Sequence, residues 1–147
     1  MDSGSVVEIY LFPSRWEPAT VVEEAVAVAG AGLEGDRPRS EPRAITLLSR
    51  EVWQETTAEL GADLAPQKRR ANLLVTGLDL SQVVGCRLAV GDAELQVRGE
   101  TTPCMNMEKV QPGLLQALVS YMRGGVFATV FRGGRIRTGD SITVWGE

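Results

Sequence analysis

Strand-like alternation opens the chain. In VVEIYLF (6–12) β-branched and aromatic residues predict a first strand, ended at Pro13, which cannot donate to a sheet ladder. The valine-rich run TVVEEAVAVAG (20–30), closed by Gly30, reads as a further strand. AITLLS (44–49) is a short apolar strand, and Ser49 stands where it can cap the helix REVWQETTAEL, with Glu51 near the positive helix end. Val52, Trp53 and Leu60 would face inward there, leaving a largely solvated outer face. After the breaker GADLAPQ, three more strands follow: ANLLVTG (71–77), CRLAVGD (86–92) and AELQVRG (93–99). The last two form a hairpin about Gly91-Asp92.

Pro112 is expected as the first residue of a second helix, with Leu114, Leu115, Leu118 and Met122 at helical spacing on its inner face. GGVFATVFRGG and RIRTGDSITVWG are strand-like runs joined at Gly133-Gly134, where Arg132-Gly133-Gly134 reads as a plain hairpin turn. Gly139-Asp140 supplies another turn signal. Many short strands with regular turns and two clear helices predict a mainly β barrel or sandwich, one domain over residues 1–147.

Charge and composition narrow the chemistry. The net charge of −4, without a long basic run, gives no reason to expect a nucleic-acid partner. No apolar stretch is long enough for a membrane span, and a cytoplasmic location is expected. The 147 residues include no histidine, which removes Ser-His-Asp and Cys-His nucleophile pairs and histidine-bearing metal sites. Two cysteines, Cys86 and Cys104, cannot build a four-thiolate centre within one chain. The remaining chemistry rests on Cys104, carboxylates, arginine or a bound cofactor. Cys104 lies in the polar stretch GETTPCMNME (99–108), whereas Cys86 opens a strand and reads as structural.

The succession GLEGDR (32–37), RAITLLS (43–49), RRANLLVTGLDL (69–80), VGCRLAVGDAELQV (84–97), TTPCMNME (101–108) and RGGVFATVFRGGRIRTGDSI (123–142) resembles the MOSC domain, the C-terminal domain type of molybdenum cofactor sulfurase, in its stand-alone bacterial form. The resemblance implies a closed, strand-rich barrel with two or three short helices. It also implies a molybdenum cofactor of the molybdopterin type, with Cys104 as metal ligand, catalytic thiol or sulfur carrier. A soft thiolate suits a molybdenum centre whose other sulfurs come from the pterin dithiolene.

Such a cofactor ends in phosphate, for which arginine's planar fork is the fitting donor; lysine occurs only at 68 and 109 among fifteen basic residues. The candidate cluster is Lys68-Arg69-Arg70 with Asn72, joined by Arg123 ahead of Gly124 and Gly125, whose amides could approach an oxyanion. Arg70, Asn72 and Arg123 are preferred within it. Thr101 and Thr102 beside the thiol, and Asp36 of the GLEGDR loop, complete the ligand set. Where the family often has a histidine after that acidic loop, this chain has Pro38, a departure at the position where the resemblance would place a proton-transfer or supporting role.

Three functions remain open. The protein is a reductase of N-hydroxylated compounds fed by a separate electron donor, a carrier whose Cys104 persulfide is charged by a separate sulfur donor, or a non-catalytic binding barrel.

Overall fold

The computed structural model describes residues 3–38 and 43–146. Among these, the strand-forming runs give β1 (Ser3–Leu11), β2 (Thr20–Val22), β3 (Glu24–Ala27), β4 (Ile45–Ser49), β5 (Leu73–Thr76), β6 (Arg87–Val90), β7 (Ala93–Glu100), β8 (Val126–Arg132), β9 (Gly134–Arg137) and β10 (Ser141–Trp145). Seven of them close a barrel in the order β1-β10-β6-β7-β8-β4-β5 and back to β1. Strand β2 adds to the far end of β1, and β3 pairs with β9 as a separate ribbon. The mainly β barrel expected from the sequence is the observed fold.

One barrel pairing is parallel, β4 with β5. Parallel neighbours need a crossover, and helix α1 (Arg50–Leu60) supplies it. Ser49 caps this helix as expected, its hydroxyl accepting from Val52 N at 3.2 Å, and Gly61 ends it in the left-handed region at φ 63°. Glu51 also reaches across to the end of β5, accepting from Gly77 N and Thr76 Oγ1, both at 2.8 Å. Burial alone would raise the Glu51 carboxyl, but those two donors hold it below its ordinary value.

Two apolar cores share the barrel wall. Ile9, Leu47, Leu73 and Leu95 point inside, whereas Tyr10, Leu48 and Leu74, their strand neighbours, point outward into a second core with Trp53, Met107, Leu114 and Leu118. Because both faces are covered, all five residues of β4 are buried, which explains why AITLLS runs apolar instead of alternating. The second core is formed by α1 with two short helices, α2 (Met105–Val110) and α3 (Leu114–Val119). It anchors the segment that carries Cys104.

Several local expectations change. The run 20–30 breaks at Glu23, so that β2 joins β1 while β3 joins β9. Pro112 is not the first residue of α3: Gly113 follows at φ 90°, outside helical space, and the helix starts at Leu114. The Glu108 carboxylate serves this start, accepting from Gly113 N at 2.9 Å and Leu115 N at 3.4 Å. Gly133-Gly134 is a corner and not a hairpin turn, since β8 and β9 do not pair with each other. A Cβ on Gly134 would lie 2.4 Å from Asp92 O, and one on Gly133 2.7 Å from Ala27 O, so the corner packs only without side chains.

Candidate functional site

A cavity of about 630 Å³ opens where the loop after β1, the turn before β5 and the α2 segment converge. Cys104 lines it and is exposed to solvent. The residue is the extended N-cap of α2, and its side chain makes no capping hydrogen bond. Pro103 on one side is buried, Met107 on the other is 4 % exposed in the second core, and Met107 N donates to Cys104 O at 2.9 Å. The thiol is therefore presented from a fixed backbone.

The wall facing it is cationic. Among the described residues, Arg15, Arg37, Arg43, Lys68, Arg69, Arg70 and Lys109 line the cavity, and no carboxylate does. Arg69 holds the two sides of the Cys104 loop together: Nη2 donates to Thr101 O at 2.9 Å and Nε to Gly124 O at 3.1 Å. Burial lowers its pKa, against a countervailing pull from the nearby Cys104 sulfur, and Arg43 lowers it further. A desolvated guanidinium of this kind gains most from an anion placed beside it. Thr101 Oγ1 is buried and has no hydrogen-bond partner among the described residues. Buried hydroxyls are nearly always bonded, so this one marks a place for a ligand atom or ordered water.

Arg70 lines the cavity too, but its guanidinium also braces the loop after β1. Nη1 donates to Glu17 O at 2.9 Å, Nη2 to Ser14 O at 3.2 Å, and the group lies 4.3 Å over the Phe12 ring. Its backbone sits at φ 65°, a conformation a non-glycine residue holds only when its surroundings over-determine it. The braced loop presents Trp16, 87 % exposed, at the cavity mouth.

Asn72 does not line the cavity. It is fully buried behind the wall, where Nδ2 donates to Tyr10 O at 3.2 Å and Oδ1 accepts from Thr46 N at 3.1 Å and Thr46 Oγ1 at 3.3 Å. It joins the segments around β1, β4 and β5 and supports Thr46, which does line the cavity. Asn72→Ala leaves Thr46 N and Tyr10 O unpaired in the core. It is expected to cost about 3 kcal/mol, seen as a drop of roughly 6–12 °C in Tm; a Tm within experimental error of the parent would show that this junction carries no weight.

Arg123 is elsewhere as well. Its fork grips Glu59 on α1, with Nη1 to Oε1 at 2.9 Å and Nη2 to Oε2 at 2.7 Å, and Glu55 lies 3.6 Å away. Acidic neighbours make this a structural clamp and not the phosphate donor expected from its place before two glycines. The Arg123 hydrogen bond holds the Glu59 carboxyl below its ordinary value of 4.5. A carboxyl depressed in the fold stabilises above its unfolded value and loses that contribution as pH falls through the folded one. Glu59→Gln should therefore flatten the loss of Tm between about pH 5 and pH 3; parallel curves for parent and variant would contradict the clamp.

The other expected ligands divide. Gly124 lines the cavity, and a Cβ there would meet Thr101 O at 2.5 Å. Gly125, at φ 95°, instead lets the chain pass Leu47 O, which a Cβ would approach to 2.3 Å. Thr102 is exposed and outside the cavity lining. Asp36 accepts from Phe12 N at 2.8 Å, pinning the GLEGDR loop to the end of β1, and borders a separate hollow of about 370 Å³. Cys86 is half-buried against the barrel core.

Sequence reasoning passed over Arg15, Trp16, Arg43 and Lys109, and ranked Arg69 below Arg70. One signal was available: both lysines of an arginine-rich chain, Lys68 and Lys109, fall on this cavity. The inward turn of Arg69 was not legible, because it depends on Thr101 and Gly124, distant in sequence.

The structure is a closed barrel whose loop thiol, Cys104, sits on a cationic cavity. The MOSC domain model matches residues 34–143, and the chain belongs to that family. Among solved structures, the YuaD protein from Bacillus subtilis is similar at 22 % identity and TM-score 0.83, covering 99 % of this chain and 97 % of that one. YiiM from Escherichia coli is similar at 22 % identity and TM-score 0.79, over 98 % of this chain and 70 % of its own. YiiM from Geobacillus stearothermophilus gives 19 % identity and TM-score 0.78, over 97 % and 75 %. At these identities the likeness shows the fold. No curated protein matches the chain.

Proposed function

We propose that the cavity binds a molybdenum cofactor of the molybdopterin type, with the Cys104 sulfur as a ligand to the metal and the arginine wall on the phosphate. One observation carries this reading: an exposed thiol shares a cavity with seven cations and no carboxylate among the described residues. The orphaned Thr101 hydroxyl and the close approach allowed by Gly124 fit an oxygen-rich ligand at the same wall. When bound, the group supplies two-electron chemistry at molybdenum. The chain's own residues do the rest: Arg69 fixes the Cys104 loop and faces the anion, Arg70 fixes the mouth, and Thr101 offers a donor. The reaction this supports is reduction of an N-hydroxylated compound to the amine and water, with both electrons drawn from a separate donor protein and two protons from solvent.

The exposure of Cys104 favours a second reading, sulfur carriage as a persulfide. The two separate on one preparation, made in a host that synthesises molybdenum cofactor. Cofactor binding gives about one pterin per chain, measured as its fluorescent oxidation product, and an unmodified Cys104. Sulfur carriage gives a pterin-free chain heavier by one sulfur that reductant removes. A pterin-free chain without extra mass overturns both.

A further inference from the structure

The outer wall of the barrel holds another cavity, of about 230 Å³, lined by Gly85, Arg87, Gln96, Trp145 and Gly146. None of these residues lines the Cys104 cavity. Register explains the grouping: Trp145 of β10 stands opposite Arg87 of β6, which stands opposite Gln96 of β7. Their neighbours Leu88 and Leu95 fill the barrel core, so Arg87, Gln96 and Trp145 form a row on the outer face.

Arg87 is the unusual member. Its guanidinium carbon lies 3.7 Å from the centroid of Phe131 on β8, a close cation–π stack that fixes the plane of the fork. Yet its Nε is buried and has no hydrogen-bond partner among the described residues. The carboxylate that shares this outer face, Glu94, is already taken by Arg132 at 2.7 Å. Gln96 is fixed as well, its Nε2 donating to Gly85 O at 3.1 Å and Cys86 O at 3.2 Å. Arg69, Arg70 and Arg123 spend their forks on carbonyls or carboxylates. Arg87 is stacked and oriented, with no acceptor for Nε among the described residues, beside aromatic rings that stay open to solvent: Trp145 is 43 % and Phe131 55 % exposed.

We propose that this cavity is a binding site for a small planar carboxylic acid, its carboxylate on the Arg87 fork and its ring against Trp145. A planar, delocalised donor matches a carboxylate in pairs of parallel hydrogen bonds. The adjoining indole supplies the flat apolar surface that an aromatic or conjugated acid needs. The volume of about 230 Å³ has room for one ring and its carboxylate.

The test titrates the full-length, ¹⁵N-labelled protein with benzoate and with benzamide, its uncharged counterpart. Benzoate should shift the Trp145 indole N–H and Arg87 Nε–H signals and saturate, with benzamide at least about tenfold weaker. Arg87→Lys keeps the charge and loses the fork, and should weaken benzoate about tenfold. Arg135→Ala, on an exposed arginine of β9 paired with Glu24, should leave it unchanged. Equal binding of benzamide, an unaffected Arg87→Lys variant, or no shift up to about 50 mM benzoate would overturn the proposal. Shifts that follow protein concentration instead of benzoate would overturn it too, marking the face as a contact between copies of the chain.

Discussion

Arg69→Ala is expected to weaken retention of a bound pterin by about tenfold to a hundredfold, while Arg123→Ala leaves retention unchanged. Both arginines lie close to the glycine pair at 124 and 125, and the sequence alone favoured Arg123. Their partners separate them. Arg123 spends its fork on Glu59, outside the cavity, whereas Arg69 is half-buried in the cavity wall and bonded through two of its nitrogens to Thr101 O and Gly124 O. Removing Arg69 takes away a desolvated positive charge facing the ligand and unpins the loop that carries Cys104. The two lost backbone acceptors should also lower stability by about 2 kcal/mol. Arg69→Lys distinguishes these effects. It restores charge without the fork, so retention should recover in part while the loop's protection from hydrogen exchange does not. Retention lost equally in the Arg69 and Arg123 variants, by dialysis and pterin fluorescence, would refute the assignment of the anion wall.

The barrel was legible because its strands carry their own signals. Gly91-Asp92 turns β6 into β7 with Val90 opposite Ala93, and Ser49 caps α1, both as local chemistry requires. What sequence could not give was determined by contacts distant along the chain. Helix α2 is six residues long with Met107 as its one buried residue, too short for a periodic signal. The start of α3 depends on Glu108 reaching Gly113. The break at Glu23 depends on β9 drawing β3 away from β1.

The site divides along the same line. Cys104 stands out by its polar surroundings, and the structure places it on a cationic cavity. Asn72 was read as a ligand from its place after Lys68-Arg69-Arg70, and Asp36 from its place in the GLEGDR loop. Both are spent on backbone groups, Asn72 on Tyr10 and Thr46, Asp36 on Phe12. A buried amide that joins three chain segments and a pocket ligand have the same one-letter code. Only the geometry of their partners tells them apart.

Metal content decides the central claim. Parent protein and Cys104→Ala, both purified from a host that makes molybdenum cofactor, should be compared by elemental analysis for molybdenum per chain. Because Cys104 is exposed and uncapped, the variant should fold with the parent's Tm. The account predicts near-stoichiometric molybdenum in the parent and a small fraction of it in the variant. Molybdenum absent from both, or equal in both, would contradict it.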